Sequence, residues 1–177
     1  MTGKIVIGGE EYGIRCDMNV IEAIEDHFGG IEGVTKERSI AAAKFLAAEM
    51  INEHNYVVHS PERVTPQEVG AKMTPAEYGD VWRGVIECFI DCIAVKKKIV
   101  REDEWEVDAM SGSEEDNSAV RSSRLRIMAV RTLGYTHTEY GMRPMGRLIE
   151  ELSEMAEQRN TRTTAGDSGD WINEEAI

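Results

Sequence analysis

The segment Thr74 to Val95 constrains this chain more than any other, because it reads as a helix with almost no face to spare for water. Thr74 is a good N-cap, Pro75 suits the first helical position, where its missing N–H costs nothing, and Glu77 can reach back to complete a capping box. Asp80, Arg83, Glu87 and Asp91 then recur every three or four positions, while Tyr78, Val81, Trp82, Val85, Ile86, Phe89, Ile90 and Ile93 fill the other faces. A helix apolar over most of its circumference must be covered by neighbours on several sides, so it is either the centre of a small domain or a subunit contact. Its length would span a membrane, but four charges inside it argue against that.

Ahead of this helix, Lys4 to Ile7 is a short β-branched run, Gly8-Gly9 is a turn signal, and Tyr12 to Cys16 returns as the second strand of a hairpin. Asn19, with Glu22 three residues later, is expected to cap a short helix that Gly29-Gly30 ends. Lys36 to His54 is alanine-rich, which permits close helix packing against the central helix. Val57 and Val58 read as a brief extended piece, and Thr65-Pro66-Gln67-Glu68 starts a short helix over 65–71.

After Val95 the character changes. Lys96-Lys97-Lys98 places positive charge at the helix C-terminus, and eight acids lie between Glu102 and Asp116. Arg121 to Leu133 is expected to be helical and to stop at Gly134. Thr136-His137-Thr138-Glu139 forms another capping box, and Met145, Leu148, Ile149, Leu152, Met155 and Ala156 share one helical face. The expected fold class is therefore mainly α, or α+β with a small N-terminal β-hairpin. Residues 1–100 form a hairpin-plus-helix domain, 101–118 an acidic linker, 119–159 a small helical C-terminal domain and 160–177 a flexible tail.

Chemistry is sparse. The 177 residues carry a formal net charge of -13, so a general nucleic-acid or anionic-membrane surface is not expected. Lys4-Ile-Val-Ile gives way at once to Gly8-Gly9-Glu10-Glu11, which is not a secretory leader, and a soluble, intracellular protein is expected. Three cysteines fit a reducing compartment; Cys88 and Cys92 stand one turn apart, but scattered His27, His54, His59 and His137 complete no ligand set, so the thiols are read as core. Gly166-Asp167-Ser168-Gly169 matches the nucleophile region of trypsin-like proteases by chance, because nothing else in the chain supplies a triad. Gly8-Gly9 lacks a phosphate-loop context. The two helix starts over 65–85 are too acidic for a helix-turn-helix on DNA. No catalytic group, cofactor or metal site is expected, and function should lie in binding surfaces. The one local cationic excess is Arg121, Arg124, Arg126, Arg131, Arg143 and Arg147, which suits an acidic partner or simply a solvated face.

The stretch from Arg126 to Leu152, Arg-Ile-Met-Ala-Val-Arg-Thr-Leu-Gly-Tyr-Thr-His-Thr-Glu-Tyr-Gly-Met-Arg-Pro-Met-Gly-Arg-Leu-Ile-Glu-Glu-Leu, resembles the C-terminal part of bacteriophage tail assembly chaperones. There a helix ends in Leu-Gly, a Thr/Ser-x-x-Glu-aromatic step follows, and a Met and often a Pro precede a last helix. Tyr140-Gly-Met-Arg-Pro departs from the family's commoner aromatic-x-x-Met-Thr-Pro at Arg143. The resemblance implies a non-enzymatic protein of the host cytoplasm, absent from the mature virion, that coats the tape measure protein and recruits tail tube subunits, and it allows a homo-oligomer. It also implies the long product of a programmed ribosomal slip, for which an adenine run encoding Lys96-Lys97-Lys98 would be the place. Its partner-binding candidates are Arg126, Leu133, Gly134, Tyr135, Glu139, Tyr140, Met142, Leu148 and Leu152. On this reading the first unit coats and the second recruits; the alternative is a small helical regulatory or DNA-associated protein.

Overall fold

Alternation of buried Ile5, Ile7 and Ile14 with more exposed neighbours accompanies two antiparallel strands at the N-terminus, β1 (Thr2–Ile7) and β2 (Glu10–Arg15), with Ile5 opposite Tyr12 and Ile7 opposite Glu10. Gly8 and Gly9 make the two-residue turn with φ of 61° and 80°, a left-handed pair open to glycine. The computed structural model describes residues 2–36, 38–95 and 122–166. The lysine run, the acidic linker and the last part of the tail lie outside these residues.

The hairpin leads into α1 (Met18–Phe28), and seven further helices and a π turn follow within the described residues: α2 (Ile31–Lys36), α3 (Ile40–Val57), α4 (Pro66–Lys72), α5 (Tyr78–Ile93), α6 (Ser122–Met128) running into a π turn (Ala129–Leu133), α7 (His137–Gly141) and α8 (Met145–Gly166). The protein is thus mainly helical with a small N-terminal hairpin. Several starts and stops follow the sequence closely. Gly29 and Gly134 close their helices at φ of 73° and 71°, and Thr65 with Glu68 and Thr136 with Glu139 form complete capping boxes.

Other boundaries differ for identifiable reasons. Asn19 does not cap α1: Asp17 occupies the N-cap, and the Asn19 amide is spent on Glu53 of α3 at 3.0 Å. α3 begins at Ile40 behind a Ser39 cap, whose hydroxyl accepts from the Ala42 N–H, and an unforeseen short helix α2 fills the gap before it. Val57 and Val58 are not extended, because α3 continues through Val57 and Val58 caps it. At the central helix, Thr74 and Glu77 make their reciprocal hydrogen bonds, but Pro75–Glu77 is a turn and regular helix starts at Tyr78. The Glu77 carboxylate also accepts the Gly8 and Gly9 N–H groups at 3.1 Å. With Thr74 the largest contributor, these donors hold its carboxyl down at about 2.

α5 lies against β1, α3 and α8, which covers it on several sides as its composition requires. Val81, Trp82, Val85, Cys88, Phe89 and Cys92 are buried, whereas Ile90 stands 52% exposed beside the charged stripe. Gly84 lets β1 approach, since a Cβ there would meet Ile5 Cγ2 at 2.7 Å. Trp82 is 9% exposed and stacks on Tyr78 at 6.5 Å between centroids. Because the side chain is not completely enclosed, Trp82→Ala should cost roughly 3 kcal/mol, the low end for a buried aromatic. A thermal melt checks this, and an unchanged midpoint would mean the ring contributes no core burial.

The second helical segment, expected to form its own small domain, shares the first segment's core. Leu125, Ala129, Tyr140, Met145, Leu148 and Leu152 belong to one buried cluster with Ile7, Ile21, Leu46 and Phe89. α6 and α7 lie on α1, and α8 lies on α5. Gly146 permits the last contact, since a Cβ there would run into the Ala94 carbonyl oxygen. The backbone of α8 is helical as far as Gly166, past the Arg159 boundary from which a flexible tail is expected.

Candidate protein-binding surface

The nine partner-binding candidates on the C-terminal segment are mostly engaged by the fold. Tyr140 is 1% exposed and donates its hydroxyl to the Ser122 carbonyl at 2.8 Å. Leu148 and Leu152 are core, and Leu133 packs against it. Gly134 is a helix C-cap, and Glu139 completes the Thr136 capping box. Tyr135 donates to Glu151 at 2.6 Å, Arg126 pairs with Glu22 of α1, and the Met142 carbonyl accepts from Arg15 at 2.9 Å.

The arginine excess is likewise largely consumed. Besides Arg126, Arg147 bridges to Glu150 and Glu151, both at 3.2 Å, and the Arg143 guanidinium lies 5.2 Å from the Tyr135 ring centre. Arg121 lies outside the described residues. What remains outward on this segment is different in kind. Ile127, Met128 and Val130 are 53%, 46% and 37% exposed, alongside exposed Arg131. The cause is helical period: Ser122, Leu125 and Ala129 face the core, so 127, 128 and 130 must face away. Three large apolar side chains within four residues on an outward face form a surface suited to another protein, where burying each would yield about 1.5–3 kcal/mol.

Two polar features were not legible in the sequence. The first is an open cleft of about 480 Å3 between α1, α3, the loop after α3 and α7, lined among others by Glu49, Glu53, Tyr56, Arg63 and His137. The second lies beside it. Asp17 is fully buried; its Oδ2 accepts from Arg15 Nε at 2.8 Å and its Oδ1 has no partner. Burial first, and then the Asp17 charge, push the Glu53 carboxyl up to about 7, against Asn19 and Arg15, which favour its ionised form. An Asp before a helix signals only a cap, so a carboxyl pair between residues this far apart leaves no pattern to read.

Cys88 and Cys92 are buried as core residues, and Cys16 joins them. Burial pushes the Cys88 thiol up to about 11, and a hydrogen bond to Cys92 and then burial raise Cys16 as well, so neither is a ready thiolate at neutral pH. Among the described residues no group of three His, Cys, Asp or Glu side chains is placed to hold a metal ion, and no helix is long and apolar enough to cross a membrane.

The arrangement defines a small, mainly helical protein whose outward apolar face is its most distinctive surface. Comparison with protein-family models, with curated proteins and with solved structures finds no match.

Proposed function

We propose that this chain is a tail assembly chaperone of a long-tailed phage, a non-enzymatic protein acting in the host cytoplasm. It covers the tape measure protein and recruits tail tube subunits. The observation that carries the reading is the exposed Ile127, Met128 and Val130 on the same segment whose sequence resembles that family. A tape measure helix has long apolar stripes until the tube encloses it, and an acidic protein that covers such stripes keeps them from aggregating. The α6 face is the recruiting surface for a tube subunit, and the cationic Arg131 at its margin favours an acidic rim on that subunit.

The test is co-purification with the tape measure and tube proteins encoded near the gene. Ile127→Asp with Met128→Asp should leave the melting temperature close to that of the parent, because both side chains are solvent-facing, while reducing tube-protein capture roughly tenfold or more. Tape measure binding should persist. Full tube-protein capture by this variant would remove the assignment, and capture of neither partner by the parent chain would remove the chaperone reading.

A further inference from the structure

The seam between the hairpin side and the C-terminal segment carries a device that the proposed function does not require. Arg15 holds it together, with Nε on Asp17 Oδ2 at 2.8 Å and Nη2 on the Met142 carbonyl at 2.9 Å. Next to it the Met18 N–H donates to the Arg143 carbonyl at 2.9 Å. Asp17 is fully buried and its Oδ1 lacks a donor, although an unsatisfied buried carboxylate oxygen is costly. Glu53 of α3 takes the amide of Asn19, two residues after Asp17, at 3.0 Å on Oε1, lines the open cleft together with Met142, and feels the Asp17 charge. Burial and the neighbouring Asp17 charge both disfavour a charge on Glu53, and a proton held there would supply a donor on the side where Asp17 Oδ1 lacks one.

We propose that Glu53 carries a proton toward the buried Asp17 carboxylate and that Glu53, Asp17 and Arg15 together form a proton-operated latch on the C-terminal segment. With the proton in place, Asp17 needs only one edge of Arg15, and Nη2 is left for the Met142 carbonyl. When the proton leaves, the second negative charge competes for the same guanidinium, Arg15 is drawn off Met142, and water enters along the cleft wall that Met142 shares with Glu53. The groups that bear on Glu53 are Arg15 from β2, Asp17 from the turn before α1, Asn19 from α1, Glu49 and Tyr56 from α3 itself, Arg63 from the following loop and His137 from α7. Only Arg15, Arg63 and His137 can offset its charge, and Arg63 and His137 lie in the open part of the cleft.

The sign follows from the raised carboxyl. Between its ordinary 4.5 and about 7 the folded chain binds more protons at Glu53 than the unfolded chain does, so stability falls as pH rises through that window and levels off above it. Three measurements on the full chain test this. The carboxyl-carbon chemical shift of Glu53 should titrate near 7, whereas a midpoint near 4.5 would overturn the proton on Glu53. The parent melting temperature should drop by roughly 5 °C between pH 5.5 and 8.5, allowing for the partial exposure of Glu53. Glu53→Gln, which keeps a neutral donor at every pH, should lose most of that drop, and an undiminished drop would overturn the assignment to Glu53. Hydrogen exchange at the Met18 amide, corrected for its intrinsic pH dependence, should be faster at pH 8 than at pH 6 in the parent and equal in Glu53→Gln. Equal protection in the parent would show a proton site that operates no latch.

Discussion

A chain cut after Ser118 should not keep the fold of residues 2–95. The cut removes Leu125, Tyr140, Met145, Leu148 and Leu152 from the shared core and bares the sides of α1 and α5 that they cover. At about 1.5–3 kcal/mol per large buried side chain, the part of this burial that belongs to α1 and α5 amounts to about 5 kcal/mol. That matches the lower end of the whole net stability of a domain, about 5–15 kcal/mol. The truncated chain also loses the Ser122 bonds to Glu25, the shortest at 2.6 Å, and the Arg126 partner of Glu22. Far-UV circular dichroism should show reduced helicity, and a hydrophobic dye should bind strongly where the full chain binds little. A truncated chain that unfolds cooperatively, with a denaturant midpoint near that of the full chain, would show instead that residues 119–177 form a separate unit. A recruitment defect caused by such a truncation would be uninformative, which is why the surface variant Ile127→Asp with Met128→Asp is the better probe of partner binding.

Local chemistry made much of this architecture readable. Ser/Thr-x-x-Glu boxes, left-handed glycines and the narrow charged stripe of α5 act over three or four residues, so the sequence places them without knowledge of the rest. What it could not give is what each face meets. The arginines of the C-terminal segment look like an unsatisfied cationic excess until Glu22, Glu150, Glu151 and Tyr135 are placed beside them. The Leu148 and Leu152 stripe has the amphipathic form of either a partner-binding helix or a core helix, and only its contact with α5 decides for the core. Ile127, Met128 and Val130 are the reverse case. In sequence they belong to an ordinary apolar run, and their exposure appears only once Leu125 and Ala129 have taken the inward direction. Asp17 and Glu53 are the extreme case, because the interaction depends on burial and on an approach of the residue before α1 to α3 that no spacing encodes.

The attachment of the C-terminal segment depends most on Tyr140, and Tyr140→Ala should be among the most damaging single substitutions in the chain. Tyr140 is the largest fully buried side chain among the described residues, although it sits on α7, a helix of five residues that cannot hold itself together. Its ring packs in the core and carries the Arg126 guanidinium 5.5 Å from its centre, while its hydroxyl reaches back to the Ser122 carbonyl at the start of α6. One side chain thus ties α7 to α6 and, through the Arg126 pair with Glu22, to α1. Burial and then the Glu22 charge push its phenol above the ordinary range, so it remains a neutral donor at any working pH. Deleting the ring leaves a cavity and an unsatisfied carbonyl, together worth about 5 kcal/mol. Tyr140→Phe separates the two contributions: it keeps the ring and forfeits the hydroxyl bond, for about 1–2 kcal/mol. Urea unfolding of both variants against the parent gives the two values. The ordering matters more than either number, since a Phe variant as unstable as the Ala variant would place the attachment in the hydroxyl, and an Ala variant as stable as the parent would mean that Tyr140 is not core at all.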